Sequence, residues 1–420
     1  MMPNSTRLSR SRPFYLILLL LLGSIFAAGC HDVPERRDDV RPLVMHDVPA
    51  QNLAFRFAAD TDQPAGVRTE EAGDKIESIQ KDFNTNRVND ALVRTVASPD
   101  GRRVLALYGT ADEPNEAFRI DLFSDDGRFL RNLTPPDLAC VFPDTVAWSP
   151  DGNHIAFIAH RSTRATPSPT PLTDLALLPS PSGSPTPLAA PSVAPAFAAV
   201  SLFTTEQIYI ANRDGYDLKP LTSREGLIYF YFAWAPDNHA LVALACKENE
   251  WGAREREYRQ PAGRPRLLEL DGKERLLDDQ LTEALPVWSP DAAKVATAFF
   301  TEVNGVQYPD VGIYDAATSR PTQARIPLRD ALLAASVTFE QRAAAALTNS
   351  NAIQPANQNA VSGTGPLVPA SFNPIVRLEW LTVEKLYIKT AYVRLFPHDL
   401  INNFQRWHLV LLSPQAAILK

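Results

Sequence analysis

The phrase VAWSPDGNHIAF at residues 146–157 returns in altered form three more times, as VASPDGRRVLAL from Val96, FAWAPDNHALVAL from Phe232 and PVWSPDAAKVATAF from Pro286. A chain built from copies of one phrase folds as copies of one supersecondary unit, because no single copy can bury its own apolar face. The residues of the phrase have backbone reasons. Proline presets φ at the second position of a turn, aspartate hydrogen-bonds to the backbone two residues on, and glycine accepts the positive φ that follows. Alternating apolar residues such as Ile155-Ala156-Phe157 then make a strand.

A second phrase accompanies the first: FRIDLFSDDGRFLRNLT from Phe118, QIYIANRDGYDLKPLT from Gln207 and PRLLELDGKERLLDDQLT from Pro265. Each phrase reads as a β-hairpin around an Asp-Gly or Pro-Asp turn, so one repeat predicts a four-stranded antiparallel sheet. Trp148, Trp234 and Trp288 share one repeat position, where a large amphipathic ring packs between adjacent sheets and its N–H seeks a partner. The first copy has Ala97 there, so it is expected to pack less fully or against a different neighbour.

Spacing selects the architecture. Pro99 and Pro150 are 51 residues apart, Pro236 and Pro290 are 54 apart, and the 86 residues from Pro150 to Pro236 contain a Pro/Ser/Thr/Ala-rich insertion at about 162–200. Such a tract cannot bury enough apolar surface to fold alone. A second low-complexity tract, rich in Ala and Asn, occupies about 343–372, and a degenerate repeat with Trp380 at the tryptophan position follows it. A period of 40–50 residues with four short strands is the signature of a β-propeller. The fold class is therefore all-β, a β-propeller of four-stranded antiparallel blades. About six are expected, five and seven being open, with 44–95 able to supply the sixth through Leu53–Ala58 and Lys75–Gln80.

The first residues are set aside from the fold. Arg7, Arg10 and Arg12 precede an apolar run from Phe14 to Ala28, which is shorter than the roughly 20 residues a membrane-spanning helix needs. Ala27-Ala28-Gly29-Cys30 resembles the lipobox of bacterial lipoproteins. That resemblance implies cleavage after residue 29, acylation of Cys30, and a membrane anchor that does not span the bilayer. Residues 30–43 form a tether, and 44–420 the propeller. Losing three arginines leaves 48 acidic against 38 basic residues, a balance that argues against nucleic acid as a partner. Cys140 and Cys246 are able to bridge in an oxidising compartment, but they read more readily as buried thiols.

W-S-P-D-G followed by I-Y-x-x-x-x-D-G-x-x-x-x-x-L-T resembles the repeats of TolB-type β-propellers, over about 96–300 well and 376–420 poorly. That resemblance implies a periplasmic propeller, and with the lipobox the expectation is an exported, membrane-anchored lipoprotein facing the periplasm or cell surface. Its expected function is a non-catalytic protein–protein interaction platform with an envelope-protein partner. The alternative is a glycan-binding protein, or a hydrolase or lyase acting at the central channel.

No catalytic residue, metal or cofactor is assigned. No G-x-S-x-G elbow is present. The turn aspartates Asp100, Asp151, Asp237 and Asp291 recur with Pro150, Pro236 and Pro290, as a turn residue must, and so read as scaffold. His154 and His239 read as one solvated polar repeat position with Arg103 and Lys294. The segment from Cys246 to Arg266, dense in both charge signs, reads as a long solvated loop. Trp251 and Tyr258 on it are the binding candidates, since aromatic and arginine side chains favour interface centres.

Overall fold

The computed structural model describes residues 44–65, 75–110, 113–161, 205–303, 306–317, 323–351, 371–372, 374–395 and 400–416. Cys30, the export segment, the tether and most of both low-complexity tracts lie outside them. The first described strand, β1 (Leu53–Thr61), is followed by the first four-stranded unit, β2 (Asp90–Ala97), β3 (Arg103–Thr110), β4 (Glu113–Ser124) and β5 (Phe129–Asn132). A short strand, β6 (Leu138–Cys140), bridges β4 to β8 and makes the first two units one continuous sheet. The second unit is β7 (Ala147–Trp148), β8 (His154–Arg161), β9 (Gln207–Asn212) and β10 (Lys219–Pro220). The third is β11 (Leu227–Trp234), β12 (Ala240–Lys247), β13 (Arg264–Glu269) and β14 (Glu274–Leu276). The fourth is β15 (Val287–Trp288), β16 (Lys294–Val303), β17 (Val306–Asp315) and β18 (Gln323–Ile326). The last contains β19 (Ser371–Phe372), β20 (Ile375–Thr382), β21 (Lys385–Leu395) and β22 (Leu400–Ala416). All the pairings are antiparallel, as short reversing turns require. The fold is a mostly-β propeller repeat of four-stranded antiparallel sheets.

The second, third and fourth units are each packed on two neighbouring sheets, and the alternation along the second strand shows how. On β8, Ile155, Phe157 and Ala159 face the first unit, whereas Ala156 and Ile158 face the third. On β16, Val295 and Phe299 face the third unit while Ala296 and Ala298 face the last. A period of two buried on both sides reads as a continuous apolar run. Each buried large side chain contributes about 1.5–3 kcal/mol. The tryptophans tie neighbouring sheets by hydrogen bonds at 3.1 Å, from Trp148 Nε1 to the Val96 carbonyl and from Trp288 Nε1 to the Ala233 carbonyl. The indole N–H groups of Trp234 and Trp380 are buried with no partner among the described residues.

Residues 44–95 make no sheet of their own among the described residues. Leu53–Ala58 lies in β1, which pairs with β22 and forms the outer edge of the last unit, in the order β20-β21-β22-β1. Lys75–Gln80 runs into a helix, α1 (Glu77–Asn86). Its apolar residues Ile79 and Phe83 are four apart and so share a face. They cover the flank of the first unit formed by Val104, Ala106, Tyr108 and Phe123. The first repeat thus packs against a helix. Just past α1 the Arg87 guanidinium ion-pairs with buried Asp121 and lies 4.8–5.5 Å from the rings of Phe83, Tyr108, Phe123 and Phe129.

Two further helices interrupt the strands: α2 (Glu248–Arg256) between β12 and β13, and α3 (Arg329–Asn351) after β18. The second low-complexity tract therefore starts inside α3. Leu332 of α3 joins Met45, Val48 and Ala50 from the N-terminal segment in the core between the fourth and last units.

The edge strand β1 is anchored by a buried imidazole. The Asp60 N–H donates to His408 Nδ1 at 3.3 Å, which leaves the proton on Nε2, 2.9 Å from Thr390 Oγ1. Phe57 stacks on the ring at 5.4 Å. Burial, assisted by the Arg406 charge and opposed by Asp60, pushes His408 down to about 4 from 6.5. The neutral ring's contribution is complete above pH 6.5. It falls as the unfolded chain alone takes up a proton, and about 3 kcal/mol is gone once pH has dropped to 4. Urea denaturation between pH 7 and 4 is expected to show this loss, and His408→Gln to flatten that part of the profile.

Candidate functional site

The first strands of three units carry a shared irregularity. Register shifts fall between Leu92 and Arg94 on β2, between Tyr229 and Tyr231 on β11, and between Ile375 and Arg377 on β20. Counted back from Ala97, Trp234 and Trp380, the extra residues Val93, Phe230 and Val376 occupy one repeat position. A bulge leaves one residue out of the ladder and re-aims its side chain, and bulges concentrate beside functional sites. Val93 and Val376 are exposed, as is Leu285 in the loop before β15.

Polar groups surround these apolar ones. Arg94 Nη1 donates to the Pro143 carbonyl at 3.2 Å and lies 3.5 Å from Asp144 Oδ1, linking the first unit to the second. The Tyr231 hydroxyl reaches the Pro286 carbonyl at 3.5 Å, linking the third unit to the fourth. Burial pushes Tyr231 up to about 12, and the carboxylate of Glu379 from the last unit adds to the shift. Arg377 lies 3.3 Å from Glu379. The first strands of the third and last units thus approach each other closely enough for Tyr231 and Glu379 to interact electrostatically.

Trp251 and Tyr258 have different places. The segment expected as a solvated loop contains α2, because its charges pair internally. Glu250 takes a bidentate contact from Arg264 at 2.8 and 2.9 Å and also accepts the Lys247 N–H, so its carboxylate is held below the usual range. Arg254 bridges Glu283 at 2.6 Å and the Gln260 carbonyl at 2.7 Å. The Trp251 ring sits 5.8 Å from Phe142 and 5.7 Å from the bulged Phe230, so it docks α2 against the bulged end of β11. A hollow of about 170 Å³ lies beside it, against Cys246 and Ala262. Tyr258 is 98% exposed and touches none of this. The bulges and the helix escape a sequence reading because neither alters the apolar alternation on which it relies.

The turn residues lie at the opposite ends of the strands. Asp100, Asp151 and Asp291 accept the hydroxyls of Ser98, Ser149 and Ser289 at 2.6 Å and the N–H two residues on at 3.1, 3.0 and 3.2 Å. The Ser98 hydroxyl and the Arg102 N–H hold the Asp100 carboxylate below its usual range. Asp237 has Ala235 in place of the serine and accepts the His239 N–H at 3.1 Å. Gly101, Gly152, Asn238 and Ala292 hold the left-handed position after the aspartate, with φ of 69°, 71°, 66° and 58°. Trp380 is buried between the fourth and last units.

Two sequence expectations are corrected here. His239 does not share a position with His154: the aspartate-capped N–H groups are those of Arg102, Asn153, His239 and Ala293, so Ala240 stands with Arg103, His154 and Lys294. Nor is that position uniformly solvated. Lys294 is fully buried and donates to the Val48 carbonyl at 2.9 Å, and His154 stacks on Trp234 at 6.2 Å. Cys140 and Cys246 are free buried thiols, each pushed up to about 12 by burial. No group of three or more His, Cys, Asp and Glu that could hold a metal occurs among the described residues, nor is any described helix long and apolar enough to cross a membrane.

No protein-family model matches the chain, and no curated protein matches it either. Solved structures do. A prolyl endopeptidase matches at 10% identity and a TM-score of 0.36, over 91% of this chain and 45% of its own. Prolyl oligopeptidase B from Galerina marginata matches at 10% and 0.39, over 84% and 45%. The β-propeller domain of the trilobed protease from Pyrococcus furiosus, described as having an open velcro topology, matches at 10% and 0.33, over 74% and 84%. The chain thus spans less than half the length of the two oligopeptidases. Such likeness concerns the fold alone. The expected non-catalytic platform, and with it the expectation that the protein is not an enzyme, stands against these peptidase matches and is not carried further.

Trp251→Ala, which empties the space between Phe142 and Phe230, is expected to cost about 2–4 kcal/mol in urea denaturation. Tyr258→Ala should stay within about 0.5 kcal/mol.

Proposed function

We propose that the chain is a five-bladed propeller of the TolB repeat type that acts in hydrolysis at its central channel, admitting an extended polypeptide at the bulged mouth. The observation that carries this reading is the recurrence of the bulge at Val93, Phe230 and Val376. Each bulge takes one residue out of ladder pairing at the channel. Exposed Val93, Leu285 and Val376 offer apolar contacts for alternate side chains of an extended segment. Arg94, Arg377 and Glu379 supply charge between them. A glycan-binding mouth would need free aromatic faces. Here the Phe230 ring packs against Trp251, and the Tyr231 hydroxyl is turned to the Pro286 carbonyl. The polypeptide reading is therefore preferred. These residues admit and hold the substrate; bond cleavage is not assigned to any of them.

Export belongs to the same proposal. The basic start, short apolar run and Ala27-Ala28-Gly29-Cys30 support acylation at Cys30 and a membrane-anchored propeller facing the periplasm or cell surface. Cys30→Ala is expected to leave a larger precursor that takes up no labelled fatty acid; persistent labelling would exclude that anchor.

The channel reading is tested with a fluorescent, unstructured, apolar-rich peptide followed by anisotropy, and by mass spectrometry for cleavage. Saturable binding is expected, at least tenfold weaker in the Val93→Asp, Val376→Asp double variant. Its melting temperature should barely move because both side chains are exposed. Binding unchanged by the double variant would exclude the mouth as the port.

A further inference from the structure

At the far ends of the strands from the channel mouth, the interface between the third and fourth units holds a groove of about 320 Å³. Trp288 lines it, its ring orientation fixed by the Nε1 hydrogen bond to the Ala233 carbonyl. Asp237, His239 and Glu269 supply its polar lining, and Leu267 with small residues that include Ala240, Ala316 and Ala317 supplies the rest.

The other repeats show what the space replaces. Ala240 takes the position of Arg103, His154 and Lys294. The turn after β17 aligns with the turn after β9 through Asn212 and Asp315, each of which caps the N–H two residues on. Ala316 and Ala317 therefore take the positions of Arg213 and Asp214. Between the first and second units those positions are filled by guanidinium groups: Arg103 pairs with Asp214, and Arg213 lies 3.4 Å from Asp100. Between the third and fourth units both arginine positions are alanine. Asp237, the counterpart of Asp100, forms no ion pair among the described residues. Glu269 has an exposed contact with Lys273 at 3.5 Å and lies near enough to the Arg275 guanidinium to interact with its charge. Arg275 donates to the Asp315 and Ala316 carbonyls at 3.0 and 2.9 Å and so fixes the wall.

We infer that this groove is a binding site for the guanidinium group of an arginine side chain presented by a polypeptide. A flat cation stacks on the face of an indole and forks onto a carboxylate. The groove supplies Trp288 for the first and Asp237 and Glu269 for the second. The ligand restores to this interface what Arg103 and Arg213 provide between the first two units. The site stands apart from the channel mouth and does not depend on the channel proposal.

Titration calorimetry on the full chain, with N-acetyl-arginine amide, free arginine and N-acetyl-citrulline amide as probes, tests the assignment. Saturable binding of the arginine amide is expected, with the neutral citrulline analogue at least tenfold weaker. Ala240→Arg, which installs the first unit's own guanidinium, should abolish it. Ala240→His, which installs the second unit's imidazole, should weaken it and serves as the check if the arginine variant fails to fold. Asp237→Asn is expected to weaken binding roughly two- to fivefold, the size of an exposed charge pair. Citrulline binding as well as arginine, or Ala240→His binding like the unaltered chain, would overturn the site. A preference for free arginine over the amide would overturn the polypeptide source.

Discussion

The packing of the first four units depends on the second strand of each sheet being buried on both faces. Leu105 and Leu107 look one way from β3 while Val104, Ala106 and Tyr108 look the other; β8, β12 and β16 repeat the arrangement. A sheet apolar on both faces cannot end an assembly, so each unit demands a neighbour on either side. That demand stacks successive units face to face, and it explains the special treatment of the first. Its free flank, lacking a tryptophan partner, is covered by α1 and sealed by Arg87 among four aromatic rings.

The same constraint divides the two ends of the strands. Connections from first to second strand in the first four units, and from third to fourth strand in the first three, are tight turns closed by side-chain and backbone hydrogen bonds. They have no slack for insertion. Connections from second to third strand carry the Pro-rich tract and α2, and α3 lies in the link between units. Long excursions are cheap in loop entropy where no turn hydrogen bond is broken. The mouth with the bulged inner strands is therefore the end where the chain has freedom to build.

Legibility in the sequence follows the same line. Strands, turns and the tryptophan positions are readable because each rests on a local rule: period-two alternation, positive φ after Pro-Asp, one large ring per repeat. Residues 75–80 read as a strand although they enter α1, since Ile76 and Ile79 cannot separate the two periods over so short a stretch. The α2 segment reads as a solvated loop because its charges, taken singly, look exposed; only the fold shows Glu250 meeting Arg264. The bulges are invisible, because one extra residue in an apolar strand leaves its composition unchanged. His239 falls one residue out of register for a related reason. Asn238 can hold the left-handed position that Gly101 and Gly152 fill in the first two repeats, so the turn of the third repeat looks shorter by one than it is.

That one-residue correction shows where information about binding lies in a repeat protein. A repeated residue is explained by the architecture that repeats it, and Asp151 or Trp148 needs no further account. Departures from the repeat require one, because packing rules alone would have filled the position as its siblings are filled. Ala240, Ala316 and Ala317 are ordinary in isolation. Set beside Arg103, Arg213 and Asp214 they mark a volume and a charge that the other interface supplies from its own side chains. The bulged residues are departures of another kind, from regular pairing instead of from sequence. Both mark places where the scaffold gives up internal contacts, and both lie at the edges of sheets whose centres are packed on either face.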